Sequence, residues 1–441
     1  MSETLILGAG MTGLAAGMVS KVPVLEAEAN VGGICCSYYM RPGESDVLST
    51  QPADEEVYRF ENGGGHWLFG GDPTILEFIG KLVPVARYSR ISSVYFPDTG
   101  KYVDYPLQNH LRQMPAGVAR AALEEMTRTD QPPLGPHSTM EQWLSTSFGP
   151  TLCELFFTPF HALYTAGLYR EIAPQDAYKS PVDLKLALRG AFDDVPAVGY
   201  NTTFLYPTPG LDVLSRRMAE RCRLERGARV VAVDAAERTL RLEDGTSRRF
   251  DRLLSTLPLN VMADMAGIRV AARPDPYSSV LVVNVGATRG PRCPKDHWLY
   301  IPRSESGFHR VGFYSNVDPH FVPASARRDD DRVSIYVERA YPGGARPSPR
   351  ERDAYCAAVV RELEAWGYIA RAEVVHPTWI DVAYTWSWPG SKWKEQAVAA
   401  LAKQGIFQMG RYARWTFQGI ADSIRDGFIA GGALAKWGDG L

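Results

Sequence analysis

The chain lacks the cysteine patterns of a metal site or of a disulfide-bonded domain. Its 441 residues contain six cysteines, which are scattered and include no C-x-x-C pair. Two of them, Cys35 and Cys36, are adjacent, and neighbouring cysteines rarely form a disulfide with each other. We therefore expect no metal site and reduced thiols, as in a cytoplasmic protein.

Long apolar runs and an excess of charge of one sign are also absent. No apolar stretch approaches the roughly 20 residues that a membrane-spanning helix needs, and residues 1–4 carry no positively charged segment of a secretory signal. The 48 Lys and Arg residues nearly balance 50 Asp and Glu residues, for a net charge of −2. No basic field therefore favours nucleic acid or an anionic membrane. We expect a cytoplasmic protein without either partner, and its oligomeric state stays open.

Glycine, in contrast, is abundant, and the first of the 40 glycines lie in a dinucleotide-binding pattern. The pattern consists of the apolar residues 5–7, the turn 8–13 (GAGMTG), the helical period 14–19, the apolar residues 22–25, and Glu26. Gly8 permits the tight turn, Gly10 lets a pyrophosphate approach the backbone, and Gly13 lets the helix pack on the strand. The Glu26 carboxylate can accept hydrogen bonds from ribose hydroxyls. The sequence therefore predicts a Rossmann-type βαβ unit.

A second pair of glycines distinguishes FAD from NAD as the dinucleotide. Gly32 and Gly33 follow Glu26 within seven residues. Such a pair after the ribose-binding acid resembles the extended dinucleotide motif of flavoproteins, where it helps to seat the FAD pyrophosphate. The combination favours FAD as the cofactor.

Four groups of segments further along the chain carry a more specific resemblance. They are residues 61–69 (ENGGGHWLF) with 105–109 (YPLQN), residues 156–160 (FFTPF) with 201–210 (NTTFLYPTPG), residues 293–302 (CPKDHWLYIP) with 308–310 and 315–316, and residues 410–415 (GRYARW). Taken in this order, they resemble UDP-galactopyranose mutase, within the broader amine-oxidase-like flavoprotein superfamily. The match extends over nearly the whole length of the chain.

The resemblance implies roles for individual residues of these segments. His66 would lie beside the isoalloxazine and is the candidate catalytic residue. The other implied cofactor contacts are Gly64, Gly65, Gly410 and Arg411, and a final helix from about residue 421 would direct its N-terminal amides near Asp422 and Ser423 at the flavin. The implied substrate contacts are Asn201, Tyr300, Arg310, Trp415 and Phe417. Arginine binds phosphate oxygens bidentately, so Arg310 is the candidate cation for a diphosphate.

The sequence also departs from the family pattern, mainly in the part that would bind the sugar. Phe417 and Ala421 stand where the family has a substrate-binding tyrosine and an asparagine. Residues 384–389 (YTWSWP) replace another tyrosine segment, and residues 160–163 (FHAL) replace a Tyr-Asn-x-Lys segment. The flavin half therefore matches the family, whereas the sugar half has diverged.

The resemblance implies an FAD-dependent enzyme acting on a nucleotide-diphosphate sugar, with a UDP-type substrate. In the mutases, N5 of the reduced flavin attacks the anomeric carbon, and the sugar ring changes between pyranose and furanose forms. No protein nucleophile is needed, and NAD(P)H is a possible reductant of the flavin. The alternative function is an FAD-dependent oxidase or dehydrogenase acting on a small molecule. A non-catalytic flavin-binding protein is disfavoured by the complete flavin motifs.

The expected fold is α/β, with a Rossmann-type FAD-binding domain and an inserted substrate domain. The FAD-binding domain should comprise residues 1–90, 206–265 and 395–441, because the glycine turn and Gly410 must reach one cofactor from opposite ends of the chain. A helical substrate region should span residues 91–205, and a mostly antiparallel sheet should span residues 266–394. Within these regions the pattern predicts helices at 140–144, 152–157, 183–189 and 349–366, and a tryptophan-rich loop at 384–393.

Overall fold

The structure, a computed structural model, describes residues 3–128, 130, 133–175, 182–199 and 201–438. Its strands are β1 (Thr4–Leu7), β2 (Val24–Leu25), β3 (Ser37–Met40), β4 (Tyr58–Glu61), β5 (Leu68–Phe69), β6 (Val85–Ser89), β7 (Ser92–Phe96), β8 (Lys101–Asp104), β9 (Thr203–Pro207), β10 (Leu224–Glu225), β11 (Val230–Asp234), β12 (Thr239–Leu242), β13 (Ser247–Arg249), β14 (Arg252–Ser255), β15 (Tyr277–Arg289), β16 (Trp298–Tyr300), β17 (Arg310–Phe313), β18 (Arg332–Pro342), β19 (Ile369–Thr385) and β20 (Ile406–Gln408). Its α-helices are α1 (Met11–Ser20), α2 (Pro73–Leu82), α3 (Ala116–Met126), α4 (Met140–Leu152), α5 (Thr158–Tyr164), α6 (Leu184–Gly190), α7 (Leu211–Ala219), α8 (Leu259–Met265), α9 (Tyr314–Val317), α10 (Pro349–Ala365), α11 (Trp393–Lys403) and α12 (Ile420–Gly438).

A five-stranded parallel sheet carries the N-terminal glycine turn. Its strand order is β10-β2-β1-β14-β20, and every neighbouring pair runs parallel. The unit β1-α1-β2 therefore has the Rossmann-type arrangement that the sequence predicts. The last strand, β20, comes from the far end of the chain, so both ends of the chain contribute to this sheet.

The apolar run of β1 is buried because both faces of this sheet are covered. Ile6 packs in the same core as Leu14 of α1. Leu5 packs on the opposite face with Trp393 and Leu401 of α11. A continuous run of apolar residues is typical of a parallel strand with helices on both sides.

A seven-stranded sheet forms the second layer, in the order β19-β15-β18-β17-β16-β7-β8. All of its pairs are antiparallel except β16 with β7. In this sheet Tyr300 lies opposite Arg310, and Arg310 lies opposite Glu338. Residues directly opposite each other share one face, so these three side chains form a row across β16, β17 and β18. The predicted combination of a parallel Rossmann-type sheet and a mostly antiparallel sheet is confirmed.

Helices α3 to α6 form the layer next to this sheet. The segment 152–157 is helical as predicted, but it is not a separate α-helix. Leu152 is the last residue of α4, one π-helical turn spans Cys153–Phe157, and α5 begins at Thr158. Stacked aromatic rings fill this region, with the centroids of Phe148 and Phe157 3.9 Å apart. Short 3-10 turns lie at Leu107–Asn109, Leu111–Gln113, Leu168–Arg170, Pro319–Phe321 and Ala324–Ala326.

The tryptophan-rich loop is shorter than the predicted range 384–393. Tyr384 and Thr385 are the last residues of β19, and Trp393 is the first residue of α11. Trp386 and Trp393 are buried, so their rings belong to the packed interior of the protein. Strands β7 and β8, from the segment predicted as helical, extend the seven-stranded sheet. The domain boundaries themselves stay a prediction.

None of the helices in the described residues has the length and apolar character needed to cross a membrane.

Candidate active site

A cavity of about 570 Å³ runs from the glycine turn to the residue row on the seven-stranded sheet. At one end it is lined by Gly8, Gly10, Met11, Thr12, Glu26, Ala228 and Val230. At the other end it is lined by Tyr105, Phe160, Tyr164, Tyr300, His309, Arg310, Glu338 and Tyr384. The loop with His66 and the segment with Arg411 lie along the same cavity. It therefore joins the predicted cofactor residues to the predicted substrate residues.

The glycines of the turn differ in what surrounds them. A Cβ atom on Gly10 would have no neighbour within 4 Å, so this position borders open space in the cavity. A Cβ atom on Gly13 would overlap the carbonyl oxygen of Gly8. Helix α1 begins directly after Gly10, and its first amides have no partner inside the helix. Gly10 thus leaves room for an anion at this helix N-terminus, whereas Gly13 serves the packing.

The carboxylate of Glu26 is held at the end of β2 by two backbone amides. Ala9 N donates to Oε2 at 2.6 Å, and Glu28 N donates to Oε1 at 2.9 Å. Each carboxylate oxygen can accept more than one hydrogen bond, so the group can still receive ribose hydroxyls. Glu26 lines the cavity together with Ala228, a position that is compatible with the predicted contact to a ribose.

The second glycine pair lies directly on the first turn. Gly32 N donates to Ala9 O at 2.8 Å, and Gly32 and Gly33 have φ values of 102° and 60°, which favour glycine. A Cβ atom on Gly33 would meet only Gly10 Cα, at 3.8 Å. Both glycine segments therefore border the same open space, and together they fit the pyrophosphate of a dinucleotide.

The loop after β4 brings His66 to the middle of the cavity. Gly64 has a φ of 78°, and a Cβ atom there would lie 2.7 Å from Glu338 Oε1, while one on Gly65 would overlap the hydroxyl of Tyr336. His66 Nδ1 donates to Gly64 O at 3.3 Å. Burial, followed by the nearby Arg411 charge, lowers the pKa of His66 to about 4. The imidazole is therefore neutral at pH 7, and Nε2 is its hydrogen-bond acceptor.

At the far end of the cavity, the half-buried Arg310 forms an ion pair with the buried Glu338. Arg310 Nε donates to Glu338 Oε2 at 3.0 Å, and Nη2 donates to Oε1 at 2.6 Å and to Oε2 at 2.5 Å. Within the described residues, no atom accepts a hydrogen bond from Nη1. The pair thus fixes the guanidinium while leaving one of its nitrogens for a ligand.

The charge of this pair is nearly balanced. Burial raises the pKa of Glu338, but the Arg310 charge and the hydrogen bonds to the carboxylate together outweigh burial and leave the pKa at about 2. His309 lies beside the pair, with Nε2 3.6 Å from Glu338 Oε2. Burial lowers the pKa of His309, so this imidazole adds no charge at pH 7. Net positive charge at this end of the cavity is therefore small.

Aromatic rings enclose the space in front of the ion pair. The centroids of Tyr105 and Tyr300 are 4.3 Å apart, and those of Tyr164 and Tyr384 are 4.8 Å apart. Tyr384 Oη lies 3.5 Å from Glu338 Oε2. These rings present flat apolar surfaces with hydroxyl groups at their edges, which suits a substrate with both apolar and polar faces.

The C-terminal segment closes the cavity from the side of the parallel sheet. A Cβ atom on Gly410, whose φ is 88°, would lie 2.5 Å from Thr12 Oγ1, so Gly410 packs on the start of α1. Arg411 Nη1 donates to Gln418 O at 2.9 Å, and its guanidinium lies 4.6 Å from the ring centroid of Phe417. Gly410 and Arg411, which the sequence predicts to contact the cofactor, therefore lie between the glycine-turn end and the Arg310 end of the cavity.

Of the remaining predicted residues, some line the cavity and others do not. Ser423 and Asn201 line the cavity, and Asn201 Oδ1 accepts a hydrogen bond from Arg90 Nη1. Asp422 does not line it and lies 3.3 Å from Arg425. Trp415 is buried, and its indole Nε1 donates to Trp386 O at 2.9 Å, so it packs behind the large cavity instead of facing it.

The sequence assigned no role to several residues that the structure places at or next to the site, although His309 and Tyr384 lie in segments that were compared with the family. The residues concerned are Arg90, His309, Glu338 and Tyr384. Glu338 had one detectable signal, a single carboxylate inside the buried strand run of β18, because charged residues are rarely buried without a partner. Its pairing with Arg310 could not be derived, since the strands are joined only in the folded sheet.

Comparison with known proteins agrees with this geometry. A family profile described as flavin containing amine oxidoreductase matches residues 9–433. Reduced UDP-galactopyranose mutase superposes with a TM-score of 0.83 at 21% identity, covering 99% of this chain and 96% of that chain. Cyclohexylamine oxidase from Brevibacterium oxydans IH-35A gives a TM-score of 0.62 at 15% identity, with 99% of both chains covered. The CLA-producing fatty acid isomerase from P. acnes gives 0.57 at 16% identity, covering 99% of this chain and 98% of that chain.

Identities of this size establish a shared fold, so the predicted resemblance to UDP-galactopyranose mutase is confirmed at the level of the fold. The profile spans nearly the whole chain, and its family implies FAD as the cofactor. The open space at Gly10 and Gly33 and the backbone-held carboxylate of Glu26 fit that cofactor. The chain belongs to the family of flavin containing amine oxidoreductases.

Proposed function

We propose that the protein is an FAD-dependent enzyme that isomerises a nucleotide-diphosphate sugar between pyranose and furanose forms. The observation that carries the proposal is the position of Arg310, whose Nη1 carries no hydrogen bond within the described residues while the side chain lines the cavity beside Tyr300. The extensive superposition on UDP-galactopyranose mutase supports the same substrate class.

In this proposal Glu338 positions Arg310 for the substrate. The carboxylate binds Nε and Nη2, so the guanidinium can offer only Nη1 to a diphosphate oxygen. A charge-assisted hydrogen bond of this kind contributes on the order of 1.5–3 kcal/mol. Tyr300 lies next to Arg310 in the residue row and can add a hydroxyl donor.

The other residues of the cavity orient the sugar and exclude water. Bound in its reduced form, FAD supplies the nucleophile of such an isomerisation, so the chain needs no nucleophilic side chain of its own. His66 is neutral and can accept a hydrogen bond from a sugar hydroxyl through Nε2. The rings of Tyr105, Tyr164 and Tyr384 line this end of the cavity with apolar surface. The reductant of the flavin, with NAD(P)H as one possibility, stays a prediction.

A second candidate function is an oxidase or dehydrogenase that acts on a small molecule. The balanced charge of the Arg310–Glu338 pair favours it, because a substrate with two phosphate charges gains less there than at an unpaired arginine. Phe417 favours it too, since the family has a substrate-binding tyrosine at the aligned position.

Turnover under two redox conditions tests the proposal. The purified holoenzyme is incubated anaerobically with UDP-galactopyranose and other nucleotide sugars, either oxidised or after reduction with dithionite, and the products are separated by anion-exchange chromatography. We expect an isomeric sugar nucleotide only from the reduced enzyme, without net consumption of electrons. In a parallel aerobic incubation of the oxidised enzyme, turnover that requires oxygen and yields peroxide would instead establish the second candidate.

A further inference from the structure

A second cavity of about 210 Å³ adjoins the large one. Its described lining residues are Tyr164, Gln175, Tyr384, Thr385, Trp386, Lys394, Arg411, Trp415, Thr416 and Phe417. Tyr164, Tyr384, Arg411 and Phe417 line both cavities. A ligand that extends beyond the large cavity at Phe417 therefore enters the second one.

The cations of the two cavities are not equally available to an anion. In the described residues, the lysines and arginines that line either cavity are Arg229, Arg310, Lys394 and Arg411. Arg229 pairs with Glu28 at the Glu26 end, and Arg310 is held by Glu338. Arg411 is held by Gln418 O and the ring of Phe417. Three of the four cations are therefore paired with or held by protein groups, and of these Arg310 keeps only Nη1 for a ligand.

Lys394 is the exception among them. It is half-buried in the first turn of α11, and no carboxylate of the described chain lies within 4.0 Å of its Nζ. Burial raises the pKa of Asp275, and the charge of Lys394 acts on this pKa in the opposite direction. The Asp275 carboxylate is itself buried and accepts a hydrogen bond from Trp388 N at 3.0 Å. A partly desolvated ammonium facing a cavity without an ion-pair partner attracts an anion more strongly than a surface lysine does.

Neighbouring groups supply the rest of an anion site. The Thr416 hydroxyl makes no hydrogen bond to the described residues, so it can donate to a ligand oxygen. The indole N–H groups of Trp386 and Trp415 are already used within the protein, and their rings therefore form an apolar floor. The second cavity thus combines one available ammonium, one available hydroxyl and apolar walls.

We infer that the second cavity is a phosphate-binding subsite in which Lys394 takes a phosphate group of the substrate, past Phe417. The inference rests on the proposed function for the identity of the anion, a nucleoside diphosphate. It assigns the main positive charge of substrate binding to α11, because the charge of Arg310 is balanced by Glu338. The departure at Phe417 fits this, since a phenyl ring leaves phosphate recognition to other groups.

Binding of pyrophosphate and UDP to the oxidised holoenzyme tests this subsite. Isothermal titration calorimetry compares wild type with Lys394→Met, which keeps the aliphatic stem, and with Lys392→Met, which removes an exposed charge two residues earlier. We expect Lys394→Met to weaken both ligands about tenfold, the scale of one charge-assisted hydrogen bond. Lys392→Met should change them less than twofold, and Lys394→Arg should restore most of the affinity. An unchanged flavin spectrum verifies that each variant is folded.

The outcomes separate this inference from the proposed function. Equal affinities of wild type and Lys394→Met for both ligands, or no binding by wild type, would overturn the subsite even if nucleotide sugars are isomerised. Binding of pyrophosphate that depends on Lys394, in an enzyme that isomerises no nucleotide sugar, would support the subsite and contradict the proposed function.

Discussion

Gly10 and Gly13 lie three residues apart in one turn, yet they meet different surroundings. Gly13 touches the backbone of Gly8, so its lack of a side chain lets α1 pack on the end of β1. Gly10 faces open space, so a side chain there collides with no protein atom. The spacing of the glycines is visible in the sequence, but which one contacts the ligand follows from the surroundings of each Cβ position.

Replacing Gly10 should separate folding from flavin binding. We expect Gly10→Val to fold with little loss of stability and to purify without colour, because the added side chain occupies the space of the pyrophosphate. The absorbance spectrum of the flavin and the circular dichroism of the protein check this. Gly80→Val, at another open position but in α2, should stay yellow. A Gly10→Val protein that keeps its flavin would contradict the assigned phosphate site.

Removing Arg310 or Glu338 alone should lower the free energy of unfolding much more than removing both side chains together. Glu338→Ala leaves a half-buried guanidinium without its partner, and we expect a loss of about 3 kcal/mol in the free energy of unfolding. The double variant Arg310→Met with Glu338→Met should recover most of this loss, because methionines fill similar space without charge. Denaturant unfolding of the single and double variants measures the interaction free energy between the two side chains. If the losses in the free energy of unfolding simply add, the two side chains do not stabilise each other.

The same pair gives an acid dependence with a defined sign. The pKa of Glu338 lies at about 2 in the folded protein, below its usual 4.5. Its contribution to stability is therefore complete above pH 4.5 and is lost as the pH falls towards 2. We expect wild type to lose more stability over this interval than the double methionine variant, as followed by urea unfolding at each pH. If the stability of wild type and of the double variant fell equally with pH, the result would contradict the ion pair.

At the scale of elements, two helices from opposite ends of the chain pack along one side of the cavity. A Cβ atom on Gly427 of α12 would overlap Thr12 O of α1, and one on Gly431 would lie 2.6 Å from Ala16 O. Close approach of the two backbones thus depends on these glycines. Because Thr12 and Ser423 both line the cavity, the spacing of α1 and α12 sets its width.

Two glycine substitutions in α12 should therefore have opposite effects. Gly427→Ala forces the helices apart, and we expect a loss of about 1–3 kcal/mol in stability together with weaker flavin binding. Gly432→Ala, at a position with no neighbour within 4 Å, should raise stability by up to about 1 kcal/mol through helix propensity. Thermal unfolding and flavin titration compare them. Equal effects of the two substitutions would exclude tight packing of α12 on α1.

At the scale of the whole molecule, the cavity is assembled from segments spread over nearly the entire chain. Its lining includes Leu7 in β1, Tyr105, Arg310 in β17, and Ser423 in α12. A ligand bound there contacts both sheets at once. Cofactor binding and global stability should consequently be coupled.

Removing the flavin should lower the melting temperature of the entire chain in one transition. At free FAD about 1,000 times above its Kd, the bound ligand adds about 4 kcal/mol of stability. Differential scanning calorimetry of the flavin-free protein with increasing FAD measures the shift. Gly10→Val should show no such response, which controls for unspecific effects. A melting temperature of wild type that does not depend on FAD would contradict a cofactor site spanning the molecule.

The sequence by itself determined the local parts of this protein. The glycine spacing with Glu26 identified the βαβ unit because turn geometry and helix N-termini depend on neighbouring residues only. The motifs around His66, Tyr300 and Gly410 likewise indicated the family, and with it the two-sheet fold. Helix bounds near the Pro-containing segment 150–159 were less predictable, since α4 is kinked at Gly149, whose φ is 72°, and a π-helical turn joins α4 to α5.

Only the tertiary structure decided which side chains share the site and how their charges balance. Glu338 reaches Arg310 because β18 pairs with β17 in one register. The two residues are 28 positions apart in the chain, and their register is not encoded in either strand alone. Trp415 packs away from the large cavity for a similar reason, since its indole is held by Trp386 O. Lys394 of α11 lines the second cavity together with Tyr384 and Thr385, the last residues of β19. These are contacts between distant segments, and burial then fixes their energies.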